Sequence, residues 1–206
     1  MLQWLVLVPL LVASGTPGYK HVGGKHGVEV FRQEKSPTID LIAEGDIEAP
    51  PARVRTVLLD YAHAQALTDH LAESTVLQTK PREMVVYQRL KLPIVSDRDY
   101  TMRADWGQHG GTLWTHFVVD NSRGPGPRHG AVRVSTLTGG WELTPIRDGQ
   151  ATHAVYRVRI DMAGSIPQWM VSGGAAKDLP KLFEGVRKQV RQQTNVASVP
   201  ECGGHC

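Results

Sequence analysis

Cysteine is nearly absent from this chain: the sequence holds two, Cys202 and Cys206, both at its extreme C-terminus. That excludes an internal disulfide framework and a cysteine nucleophile in the body of the chain, so packing must hold the fold. A G-x-S-x-G elbow and an H-E-x-x-H pair are also missing. Their absence removes the best-marked routes to a serine hydrolase and a zinc peptidase. Gly110–Gly111 and Gly139–Gly140 do not lead into helical patterns, and a phosphate cradle needs a helix N-terminus behind it. Basic runs are short. Twenty-three Lys and Arg face 20 Asp and Glu, for a formal net charge of +3, and no nucleic-acid footprint is evident.

The nine histidines are scattered, His63, His70, His109, His116, His129 and His153 among them, and read as surface or structural groups. The tail Cys202–Gly203–Gly204–His205–Cys206 offers three ligand types, too few for a strong zinc site. It reads as a small terminal disulfide or a free tail. No strong metal site is expected from these residues.

Long apolar runs are also lacking, with one exception. Leu2–Ala13 is almost wholly apolar and is followed by the small residues Ser14 and Gly15. It is too short to span a bilayer and reads as a secretory signal peptide over residues 1–15, which implies a secreted or periplasmic protein. The competing reading is a buried N-terminal helix, which Pro9 weakens. Residues 16–27 read as a leader and 194–206 as a flexible tail.

What is present is alternation. Val28–Arg32 and Ile39–Ile47 read as strands. Ala49–Pro50–Pro51 ends the second, and Val54, Val57 and Leu58 predict a helix from Pro51 to about His63, with an irregular extension to Leu71. Strands then follow over Glu83–Leu92, Asp99–Trp106, Thr112–Val119, Ala131–Leu137, Gly140–Ile146 and Thr152–Met162, with a tight turn at Asp148–Gly149. After Gly164 the period changes. Ile166, Trp169, Met170, Leu179, Leu182, Phe183, Val186 and Val190 form one amphipathic stripe, which Pro180 should kink or split and Gly173–Gly174 should loosen. Strands, a helix, consecutive strands and a long C-terminal helix describe an α+β fold with helices on one face of a curved antiparallel sheet.

Three segments resemble the StAR-related lipid-transfer (START) family of the helix-grip superfamily. They are Leu92–Pro93 through Ser96–Asp97–Arg98–Asp99–Tyr100, Gly139–Gly140–Trp141–Glu142–Leu143–Thr144–Pro145, and Tyr156–Trp169 with its Asp161–Met162–Ala163–Gly164–Ser165–Ile166–Pro167 turn. The likeness covers residues 28–193. It implies a curved sheet wrapped around the C-terminal helix, an internal apolar cavity, and binding or transfer of one lipid, with a membrane surface as a transient partner. The resemblance implies no metal and no cofactor, and no nucleic acid and a monomeric state are expected. An enzyme of the cyclase/aromatase or hydrolase type on the same superfold is the alternative. Some sterol-binding members carry a cavity arginine where this chain has Ala104, so a sterol-hydroxyl site built on a buried Arg–acid pair is not implied here.

The candidate cavity residues are Tyr100, Met102, Phe117, Trp141, Leu143, Tyr156, Val158, Ile160, Trp169 and Met170. Each alone is as compatible with a dry core as with a pocket; Met and aromatics suit an adaptable apolar pocket. Asp97, Arg98 and Asp99 are candidates for polar groups at the cavity mouth, though a salt bridge where the strand begins is the simpler account. No catalytic residue is expected.

Overall fold

The computed structural model describes residues 16–36, 38–164 and 174–192. The stretch read as a signal peptide, Trp169, Met170, Gly173 and the cysteine tail lie outside them.

Ten strands form one sheet: β1 (Tyr19–Lys25), β2 (Val28–Gln33), β3 (Ile39–Ile47), β4 (Leu71–Lys80), β5 (Glu83–Leu90), β6 (Asp97–His109), β7 (Thr112–Val119), β8 (Ala131–Arg133), β9 (Thr136–Ile146) and β10 (Ala151–Asp161). Their order is β1-β2-β3-β10-β9-β7-β6-β5-β4, and the short β8 lies parallel to the start of β6. All the other pairings are antiparallel. Helix α1 (Pro51–Leu59) leads into a 3₁₀ segment, Tyr61–Leu67, that is kinked at His63. Helix α2 (Ala175–Gln192) closes the described chain. This is the curved sheet gripping a C-terminal helix that the resemblance implied.

The strand expected over Ala131–Leu137 is divided, Ala131–Arg133 forming β8 and Thr136–Leu137 beginning β9, and two further strands depart from expectation. β1 occupies the stretch read as a leader; it is an edge strand, mostly exposed, with a register irregularity between His21 and Gly23. β4 was not expected at all. Its register slips twice against β5, between Leu71 and Glu73 and between Val76 and Gln78, and Leu71 is its one fully buried residue. Each bulge shifts the inward set of side chains, which erases the period-two signal.

The core sits between the sheet's inner face and the helices. α1 begins at Pro51 and buries Val54, Val57, Leu58 and Leu59. α2 buries Leu179, Phe183, Val186 and Val190, one stripe at three- and four-residue steps. Pro180 does not split it: α2 runs through that residue as one helix. Gly185 lets α2 cross the 3₁₀ segment closely, because a Cβ there would lie 2.5 Å from the Leu67 carbonyl oxygen. Arg187 fastens the far half of α2, donating to the carbonyls of Asp46 and His26.

Candidate functional site: an apolar hollow under the helices

β6 is the strand from which the site is built. Its alternation sends Tyr100, Met102 and Ala104 inward, and β5 contributes Gln88 opposite Tyr100 and Val86 opposite Met102. Between this face, the 3₁₀ segment and α2 lies a hollow of about 260 Å³. Its wall is formed by Leu58, Tyr61, Ala64, Leu67, Thr68, Leu71, Gln88, Leu90, Tyr100, Met102, Phe117, Leu137, Trp141, Tyr156, Val158, Ile160 and Leu182. Among these described residues there is no carboxylate, imidazole, ammonium or guanidinium. Leu67, Thr68, Leu90 and Leu182 are only partly buried and mark its rim.

The aromatic part of the wall is organised. Tyr156 lies 4.7 Å from Trp141 and 6.3 Å from Phe117, centroid to centroid, and Trp141 meets Phe183 of α2 at 5.0 Å. The Tyr100 hydroxyl donates to Gln88 Oε1 at 2.8 Å, and Gln88 Nε2 donates to Ser74 Oγ at 3.0 Å. Burial pushes the phenols of Tyr61, Tyr100 and Tyr156 well above the ordinary value of 10.0; Asp105 adds to the effect on Tyr61, as the other two phenols do on Tyr156. They therefore remain protonated, as donors, at neutral pH.

Seven of the candidate residues lie on this wall: Tyr100, Met102, Phe117, Trp141, Tyr156, Val158 and Ile160. Leu143 does not. It is completely buried in the core toward the end of the sheet that α1 packs against, where side chains fill the space. Sequence reasoning did not name Tyr61, Leu67, Leu71, Gln88, Leu137 or Leu182 as cavity residues. Gln88 was within reach, since it continues the inward parity of Met84 and Val86. The 3₁₀ residues were not, because their approach to α2 is purely tertiary.

Asp97, Arg98 and Asp99 do not line the hollow. Alternation turns both aspartates to the outer face. There Arg89 Nε donates to Asp97 at 2.7 Å, and Arg133 grips Asp99 with two bonds of 2.8 and 2.9 Å. The Tyr87 hydroxyl donates to the same carboxylate at 3.2 Å. Arg98 does point inward and is 1% exposed, but its guanidinium is spent on backbone: the carbonyls of Ser96, Met162 and Ala163. It pins the end of β10, where the chain leaves for α2. The triplet is structural, locking the outer face and the β10 exit.

The outer face carries a larger depression of about 450 Å³, floored by Gly139 and Gly140 and flanked by Trp114, His116, Arg157 and Arg159. It is open, and its charges are matched. Tyr19 and Arg159 both donate to Asp40, at 2.5 and 2.7 Å, and His116 lies 3.3 Å from Asp105. Among the described residues no cluster of three or more His, Cys, Asp or Glu side chains is placed to hold a metal ion, and no helix is long and apolar enough to cross a membrane.

Residues 47–187, more than half of the chain, match the polyketide cyclase/dehydrase and lipid transport family. The chain belongs to that family. The match runs from the end of β3 into α2 and so includes every described residue of the hollow's wall. Similar solved structures include a STAR-related lipid transfer protein from Xanthomonas axonopodis, with a TM-score of 0.76 at 24% identity, covering 85% of this chain and 99% of that one. Human STARD10 has a TM-score of 0.74 at 18% identity, covering 85% and 74%. The Zhui aromatase/cyclase from a Streptomyces species has a TM-score of 0.52 at 15% identity, covering 77% and 96%. At these identities the likeness establishes the helix-grip fold. No curated protein matches the chain. The family unites lipid binders and cyclases, so lipid binding or a cyclase-like role is what membership supports.

Proposed function

We propose that this family member binds one apolar ligand in the hollow under α2 and performs no covalent chemistry on it. The observation that carries this reading is the composition of the wall. General acid–base catalysis needs a group that exchanges protons near neutral pH. The described wall offers only phenols held protonated by burial. Apolar burial at ~25 cal/mol per Å² provides ample affinity without a charged contact. The likeness to the STAR-related lipid transfer protein from Xanthomonas supports the same assignment.

Ligand entry is assigned to α2, which would swing or soften to open the rim. The rim lies where Leu90 ends β5, and the following loop carries Ile94, 83% exposed. That side chain suits transient contact with a membrane surface. The Leu2–Ala13 stretch supports a secreted or periplasmic location, and the protein is proposed to act as a monomer.

The test is solvent extraction of the purified protein followed by mass spectrometry. An apolar molecule recovered unchanged and in stoichiometric amount is the expected result. Turnover of an added aromatic polyketide by the protein alone would favour the cyclase reading instead.

A further inference from the structure

The polar side-chain groups of the hollow's described wall are few: three phenols, the Gln88 amide, the Thr68 hydroxyl and the Trp141 indole N–H. Tyr100 and Gln88 satisfy one another, with Ser74 behind them. Tyr61 and Tyr156 are different. Neither hydroxyl has a hydrogen-bond partner among the described residues. Tyr61 is 9% exposed and enters from the 3₁₀ segment. Tyr156 enters from β10, its ring held between Trp141 and Phe117. Both side chains, with Tyr100, line the same hollow. A hydroxyl that lines a hollow and has no protein partner is available to donate to whatever occupies it.

We propose that Tyr61 and Tyr156 form a two-donor seat for a single uncharged oxygen acceptor, such as a ketone or ester carbonyl, on an otherwise apolar ligand. This rests on the reading that the hollow holds a ligand. Two O–H donors match the two lone pairs of one carbonyl oxygen. An anionic headgroup does not fit, because no cation stands on the described wall to offset its desolvation. The aromatic side walls favour a flat or polarisable ligand body beside the acceptor. At roughly 30 Å³ per water-sized group, a hollow of about 260 Å³ takes a compact molecule or a medium-length chain.

Three probes of equal chain length test the seat: a medium-chain methyl ketone, the alkane, and the fatty carboxylate in its ionised form. Affinities are read by tryptophan fluorescence and calorimetry on the full chain. The ketone should bind about tenfold tighter than the alkane, and the carboxylate weakest. Tyr156→Phe and Tyr61→Phe should each remove most of the ketone's advantage and leave alkane affinity unchanged. Equal binding of ketone and alkane to the unaltered protein overturns the seat and leaves the binding function standing. A preferred carboxylate overturns the uncharged acceptor. Failure of all three probes to bind overturns the seat and the proposed function together. Because the ketone-to-alkane ratio is measured first on the unaltered protein, a variant that fails to fold does not block the test.

Discussion

The two faces of β6 differ more than its sequence suggests. On the outer face Asp99 and Thr101 are fully buried without a large apolar core above them. The segment from Asn121 to Arg133 folds over them instead. Asn121 Oδ1 accepts from the Thr101 backbone N–H at 2.9 Å, and Asn121 Nδ2 donates to the Val134 carbonyl at 2.8 Å. Arg133 bridges Asp99 to the carbonyls of Pro125 and Gly126, and the Arg128 guanidinium lies 4.7 Å above the Tyr87 ring. Gly124 presses so closely on Thr101 that any Cβ would collide with its hydroxyl. On the inner face, Tyr100 and Met102 border a hollow. One side of the strand is fixed by directional bonds, and the other is left free to meet a ligand. A binding site of this kind needs the strand held from behind, since a wall that gave way would collapse into the space it encloses.

The largest effect should come from breaking the outer network. Asp99→Ala strands Arg133 and the Tyr87 hydroxyl and should cost about 3–5 kcal/mol, read as a lowered urea midpoint. Gly185→Ala forces a methyl group against the Leu67 backbone and should cost about 1–3 kcal/mol, with faster ligand loss because α2 is displaced from the 3₁₀ segment. Filling the inner face should do the reverse. Val158→Trp has the hollow to expand into, so its stability should change by less than about 1 kcal/mol, while ligand affinity measured by calorimetry should fall about tenfold or more. Should Val158→Trp destabilise as much as Asp99→Ala, the inner face would be as tightly filled as the outer.

The smallest effect is alkaline. Tyr61, Tyr100 and Tyr156 have folded-state pKa values raised by burial above the ordinary 10.0. The folded state therefore holds protons that the unfolded state releases. Their contribution to stability is complete below pH 10.0 and declines as pH rises above it toward the raised folded-state values. Chemical melts at increasing pH should show that decline, and phenolate absorbance should appear together with unfolding. Tyr156→Phe should make the decline shallower. A Tyr156 that titrates at its ordinary value in the folded protein would mean the hollow is wet.

Much of this arrangement was legible beforehand. β7 matches its expected limits at both ends, and β10 differs from its own by one residue at each. In β7 the period-two alternation is clean, and in β10 Val155 is the buried apolar exception on the outer face; in both the inward set is apolar, which fixes the register. The aromatic wall from Tyr100 to Ile160 was legible for the same reason. β1 and β4 were not, because bulges and exposure at the sheet's edges remove the contrast between faces. The Asp97–Arg98–Asp99 triplet was legible as charge but not as position. Parity divides it between two faces, and what each charge pairs with depends on residues far along the chain, Arg133 and Met162.

The sequence by itself determined the element types and the apolar character of the inner face, because both follow from local periodicity and from burial that every strand requires. Only the tertiary structure decided that the inner face encloses space, that Leu143 falls in the filled end, and that Tyr61 and Gln88 share a wall with Tyr156. Those outcomes depend on how far helices and sheet stand apart. That distance is set by close contacts such as Gly185 against Leu67 and Arg98 on the β10 exit, between residues that no local pattern links.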